Sequence, residues 1–301
     1  MKSLKGIAAD IHPIWKMCIL VLSMLLSLFV VVALYGVIWG TRQDVVALKW
    51  LQVMQTIGVF IIPCFLSVFL WDNRPIHYLG LDRVPSLGSV LGIVALMLLA
   101  LPCINLLSWC NQQMQLPDFM SGLEHWMQAQ EESAMLLTER FIKADTVGGL
   151  LANVLIMALL PAIGEEVCFR GTLQNVFQSG GVKSPYAQSS KMVHLSIWVS
   201  AILFSAMHLQ FYGFIPRMLL GAFFGYLLVW SGSLWLPIIA HFTNNAAAVL
   251  LYNYYYMRGI STDEIDNIGV GNTLWIGVIS MLVTIAGVWM LYRFYHKVRI
   301  K

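Results

Sequence analysis

The sequence predicts an all-α, polytopic transmembrane helical bundle of about eight spans, and three observations carry that expectation. Of 301 residues, 59% are hydrophobic and only 11% charged, whereas a soluble domain carries about 25% charged residues. The mean hydropathy is +0.75. Apolar runs of about 20 residues, the length needed to cross a bilayer, recur along the chain. Trp15, Trp39, Trp71, Trp109, Trp230, Trp235 and Trp275 fall near the ends of those runs, as an aromatic belt requires.

The runs cover residues 17–40, 52–71, 87–109, 147–168, 192–210, 214–230, 234–256 and 273–294. At about 24 residues the first exceeds the 7–15 of a signal-peptide apolar region, and no small-residue cleavage site follows it, so it reads as a retained anchor. The fourth and seventh runs carry polar groups. No repeat of fixed period and no low-complexity tract is visible.

An even number of spans puts both termini on one side. That side collects Lys2, Lys5, Lys16, Arg74, Arg83, Arg170, Lys183, Lys191, Arg293, Lys297, Arg299 and Lys301, against Arg42, Lys49, Arg140, Lys143, Arg217 and Arg258 on the other. The asymmetry predicts cytoplasmic termini in a multi-pass plasma-membrane protein. The formal net charge of +3 is too small to indicate a nucleic-acid partner. Cys18, Cys64, Cys103, Cys110 and Cys168 are odd in number, lack framework spacing and read as small buried hydrophobes.

Two outer loops follow from this topology. Residues 111–146 hold six acids, and apolar residues at 119, 123, 126, 127, 134, 137 and 141 run near helical spacing. This stretch reads as an amphipathic interfacial helix, or more sharply as a lid over a substrate path. The segment MRGISTDEIDNIGVGN reads as a solvated connection.

Ionisable groups inside membrane spans are costly and mark functional sites. In GEEVCFRG, Glu166 and Arg170 are four apart and share a helix face, acid first, the better order for an ion pair. Glu165 points about 100° away from that face and is left to face a cavity, where it suits a general base. A purely structural Glu–Arg pair at a helix end leaves Glu165 unexplained. Pro161 can kink the helix and open room beside it. In FSAMH, Phe204 and His208 are four apart, and a lone histidine there also suits an interface. In HFTNN, His241 and Asn245 share one side, either for chemistry or to bond a neighbouring helix. Asn244 turns away. Cys168 has no histidine nearby in sequence to make it a nucleophile.

Two chemistries fit these groups. His208, His241 and Glu165 can hold Zn²⁺ and activate a water. Alternatively Glu165, helped by His208, activates water with no metal, while His241 and Asn245 stabilise an oxyanion. There is no H-E-x-x-H motif.

Glu165-Glu166-x-x-x-Arg170, Phe204-x-x-x-His208 and His241-x-x-x-Asn245, in that order on successive helices, resemble the CPBP (CAAX protease and bacteriocin-processing) intramembrane endopeptidases. The resemblance covers about residues 147 to 256, with FRG and the Leu-Pro before His241 also typical of the family. It implies a CPBP-type catalytic core and hydrolysis of a membrane-associated peptide or protein substrate. On that resemblance Glu165 is the water-activating acid, His208 stands beside it, His241 and Asn245 complete the site, and Glu166 with Arg170 supports it. The family has been described both as zinc enzymes and as metal-free glutamate enzymes, so the cofactor is zinc or none. Prokaryotic members generally lack prenylated targets, so CAAX cleavage itself does not follow.

The expected organisation is therefore residues 1–146 as N-terminal spans and acidic outer loop, 147–256 as catalytic core, and 257–301 as loop and last span. A proton-coupled transporter and a non-proteolytic scaffold for a membrane partner are the competing classes; inverted repeats, expected of the former, are not visible. Straight helices would hold Glu165 and His208 at opposite faces of the membrane. Their meeting requires either a fourth helix that runs on to about 177 or a fifth that starts below the interface and continues through LQFYGF, and both are expected.

Overall fold

The computed structural model describes residues 4–179 and 190–300, and every regular element among them is helical. Lys2, Lys183 and Lys301 of the basic tally lie outside the described residues. We number the main helices α1 (Pro13–Trp39), α2 (Val45–Trp71), α3 (Leu87–Leu99), α4 (Leu101–Gln112), α5 (Ser121–Ile142), α6 (Val147–Gln178), α7 (Ser190–Ala206), α8 (Phe214–Ser231), α9 (Trp235–Arg258) and α10 (Leu274–Ile300).

All eight apolar runs form helix, but not all are spans by length and composition. Among the described residues five helices are long and apolar enough to cross a membrane, or six if the bent pair α3–α4 counts as one. The expected count of about eight is not confirmed among the described residues. Helix α7 has only 17 described residues, and α9 is interrupted by His241, Asn244, Asn245 and Asn253. Among the spans, α1 is the most apolar, and it and α10 are the least buried. Apolar side chains facing outward are what a lipid solvent stabilises.

Side-chain caps start several helices: Asp44 Oδ1 accepts from Ala47 N at 3.1 Å, and Thr146 Oγ1 from Gly149 N at 3.1 Å. Proline shapes the interiors. Helices α3 and α4 meet at 44° beside Pro102. Ser280 of α10 satisfies the freed groups, donating to Leu99 O at 2.5 Å and accepting from Cys103 N at 3.1 Å. In apolar surroundings, leaving those groups unbonded costs several kcal/mol each. Pro63 in α2 and Pro161 in α6 each follow a π-wound turn, Thr56–Ile61 and Val154–Leu159. A second π-wound segment, Val167–Gln174, begins directly after Glu166. Gly164 lets α2 and α6 touch: a Cβ there would lie 2.7 Å from Thr56 Cγ2.

Several expectations are corrected. Arg170 is fully buried, so it is not a loop charge. Cys64, Cys103 and Cys168 are buried, but Cys18 and Cys110 are exposed on helix surfaces. The 257–272 connection is partly packed: Ile265 and Val270 are buried, and Asn105 Nδ2 donates to the carbonyls of Ile265 and Ile268.

Candidate active site

Helix α6 extends to Gln178, as the meeting of Glu165 and His208 requires. Helix α7 does not run on through LQFYGF; it ends at Ala206, and Leu209 adopts φ +54°. Tight bonds from His208 N to Ser205 O and Leu209 N to Ala206 O close the last turn. The chain folds back there, which drops His208 beside α6. Asn111 of α4 holds the returning strand of chain, donating to Phe211 O at 3.1 Å and accepting from Ile215 N at 2.8 Å.

Glu165 Oε2 then stands 3.9 Å from His208 Nε2 and 3.8 Å from His241 Nε2. These separations are too long for direct hydrogen bonds and leave that oxygen without a hydrogen-bond partner among the described residues. The other nitrogen of each ring is fixed. His208 Nδ1 lies 2.8 Å from Phe204 O; a carbonyl only accepts, so Nδ1 carries hydrogen and neutral Nε2 is an acceptor facing Glu165. His241 Nδ1 lies 2.8 Å from Glu166 Oε1.

Glu166 and Arg170 form the expected pair, with Arg170 NH1 reaching the same Oε1 at 2.8 Å and both side chains fully buried. Arg170 NH2 also donates to Gly221 O at 3.0 Å. Its guanidinium lies 4.3 Å from the Phe204 ring centroid and 5.5 Å from that of Phe224. His241 is held between rings, stacked on Phe224 at 5.4 Å and edge-on to Phe204 at 5.8 Å. Phe204 also meets His208 at 5.1 Å. The arrangement is a carboxylate facing two ring nitrogens, each ring oriented from behind.

Glu165, Phe204, His208, Phe224 and His241 line a cavity of about 400 Å³ that also takes in Asn245. Sequence reading missed three other features. Asn244 lines the cavity rather than turning away, and its Nδ2 donates to Asn245 Oδ1 at 3.3 Å. Glu166 orients His241 as well as pairing Arg170. Arg217 lines the cavity too; it was assigned to an outer loop, although its position inside the apolar run 214–230 was the signal. The outer-loop segment contributes Thr138 and Ile142 through α5, whose Ile142 O accepts from Asn153 Nδ2 at 3.0 Å.

The residues as arranged do not fit a zinc site. Tetrahedral zinc with bonds of about 2.1 Å puts donor atoms about 3.4 Å apart, shorter than the 3.8 and 3.9 Å separations of Glu165 from the two rings. Among the described residues no group of three His, Cys, Asp or Glu could hold a metal ion.

Residues 147–247 match the family model described as "Type II CAAX prenyl endopeptidase Rce1-like". The Rce1-like match takes in Glu165, Glu166, Arg170, Phe204, His208, His241 and Asn245, and spans about a third of the chain. A curated relative, "Uncharacterized protein YpbD" of Bacillus subtilis (strain 168), is 25% identical over 118 residues, 38% of this chain and 53% of YpbD. The matched region thus spans about half the length of that relative. No solved structure matches the chain. Several helices long and apolar enough to cross a membrane mark an integral membrane protein.

Proposed function

We propose that this protein is an intramembrane endopeptidase in which Glu165 activates a water molecule without a metal. The observation that carries the reading is the gap between Glu165 Oε2 and the two Nε2 atoms, 3.9 and 3.8 Å wide and open to the cavity. One water fits there with hydrogen bonds of about 2.8 Å to each neighbour.

In this mechanism Glu165 takes a proton from the water while His208 Nε2 accepts its second hydrogen. The hydroxide oxygen bonds to the scissile carbonyl carbon. Asn245 Nδ2 donates to the resulting oxyanion, beside the His241 ring that Glu166 orients from Nδ1. Glu165 returns its proton to the leaving nitrogen, the C–N bond breaks, and an acid and an amine result. Substrate enters from the membrane or its surface, past Thr138 and Ile142 of α5. The termini lie in the cytoplasm on the Lys/Arg asymmetry, which keeps its sense because Arg170 leaves one tally and Arg217 the other.

The test is cleavage of a peptide library and of membrane-protein substrates by purified wild type, Glu165→Gln and His241→Ala proteins. Each substitution is expected to lower the rate by about 10²–10⁴-fold. Cleavage that survives both unchanged sinks the proposed site.

A further inference from the structure

Asn244 and Asn245 are neighbours in α9, and side chains adjacent in a helix diverge by about 100° and do not ordinarily meet. Here they do. Asn244 Nδ2 donates to Asn245 Oδ1 at 3.3 Å, and both side chains line the cavity with His241. They follow His241 by three and four residues, about 60° to one side of it and about 40° to the other. Among the described residues neither amide makes another hydrogen bond.

That bond has a direction. A side-chain amide turns by half a revolution at little cost, and the turn exchanges its donor for its acceptor. With Oδ1 held by Asn244, Asn245 presents Nδ2 to the cavity. Turned round, it would present a carbonyl oxygen, which repels an oxyanion. The two histidines are held from behind in the same manner, His208 by Phe204 O and His241 by Glu166 Oε1, each at 2.8 Å.

We propose that Asn244 is a positioning residue for the endopeptidase site: its Nδ2 fixes the Asn245 amide so that an N–H, and not a carbonyl oxygen, meets the oxyanion. The inference rests on the peptidase reading. Asn244 acts through Asn245 and not on the substrate. The oxyanion exists only after the water oxygen has bonded to the carbonyl carbon, so loss of the orientation slows turnover and leaves substrate binding alone.

The experiment measures kcat and KM, on a peptide that wild type cleaves, for Asn244→Ala, Asn244→Leu, Asn245→Ala and the two double variants. Neither replacement at 244 can donate; alanine is smaller than asparagine and leucine is of similar size. Both are expected to lower kcat by about three- to tenfold, the range of one neutral hydrogen bond, with KM unchanged. In the Asn245→Ala background either change at 244 is expected to have no further effect, because there is no amide left to orient. Losses that multiply in the double variants overturn the proposal, as does an unaltered kcat. A change confined to KM also overturns it, since Asn244 would then hold the substrate. Should the leucine variant fail to fold, as a thermal melt in detergent would show, the alanine pair decides by the same criteria. Absence of cleavage by wild type removes the peptidase reading and this inference with it, whereas cleavage with multiplying losses removes the inference alone.

Discussion

Glu166 Oε1 is shared: His241 Nδ1 and Arg170 NH1 both lie 2.8 Å from it. One fully buried carboxylate therefore balances a buried guanidinium and sets the orientation of a ring on another helix. Glu166→Ala is expected to cost about 3–5 kcal/mol, because it strands the Arg170 charge. Glu165→Ala removes an unpaired acid and is expected to leave the unfolding temperature in detergent nearly unchanged while abolishing cleavage. Equal destabilisation by the two substitutions would refute this division of roles.

Gly221 sits where α8 passes Arg170. A Cβ there would lie 2.8 Å from Arg170 NH2 and 3.1 Å from Phe204. Gly221→Ala is expected to destabilise by about 1–3 kcal/mol through overpacking and to lower the cleavage rate by shifting both neighbours. A thermal melt beside a rate measurement checks this; an unaltered melt with full activity contradicts it.

Phe204 touches three site groups at once: Arg170 on its face and the two histidines. Phe204→Leu keeps an apolar side chain but loses the ring. About 1 kcal/mol of cation–π attraction goes with it, and the turnover number is expected to fall more than the Michaelis constant changes. A change confined to the Michaelis constant would instead put Phe204 in substrate binding.

The His208 turn depends on Asn111, three helices earlier in sequence. Asn111→Ala removes bonds to Phe211 O and Ile215 N and is expected to cost about 2 kcal/mol. Amide exchange of residues 208–215 should quicken with little change in α9. Unchanged exchange there means the turn is held by other contacts, such as the bond from Ser205 Oγ to Phe214 O at 2.7 Å.

Metal removal separates the two chemistries that the sequence leaves open. With a water held by Glu165 and two ring nitrogens, activity is expected to persist after exhaustive chelation and metal analysis of the purified protein. Loss on chelation with recovery on adding Zn²⁺ would restore the metal mechanism.

Sequence alone determined which residues carry charge in apolar runs, and the spacing of GEEVCFRG sufficed to pair Glu166 with Arg170 and single out Glu165. Helical periodicity is local, so it survives the change to π winding over Val167–Gln174, where the pair still closes at 2.8 Å. The locations of the eight apolar helices were likewise legible, because burial in lipid asks only for apolar composition. What spans a membrane was not, since α9 carries His241, Asn244, Asn245 and Asn253 within its apolar length. The meeting of Glu165 with His208 was decided by tertiary structure alone. It depends on Leu209 at φ +54° and on Asn111 of a distant helix, neither of which leaves a periodic trace. Glu166 as the orienter of His241, and Arg217 as a cavity charge, were decided the same way. Contacts across 75 residues, as between Glu166 and His241, are set by how helices pack and not by what lies beside them in the chain.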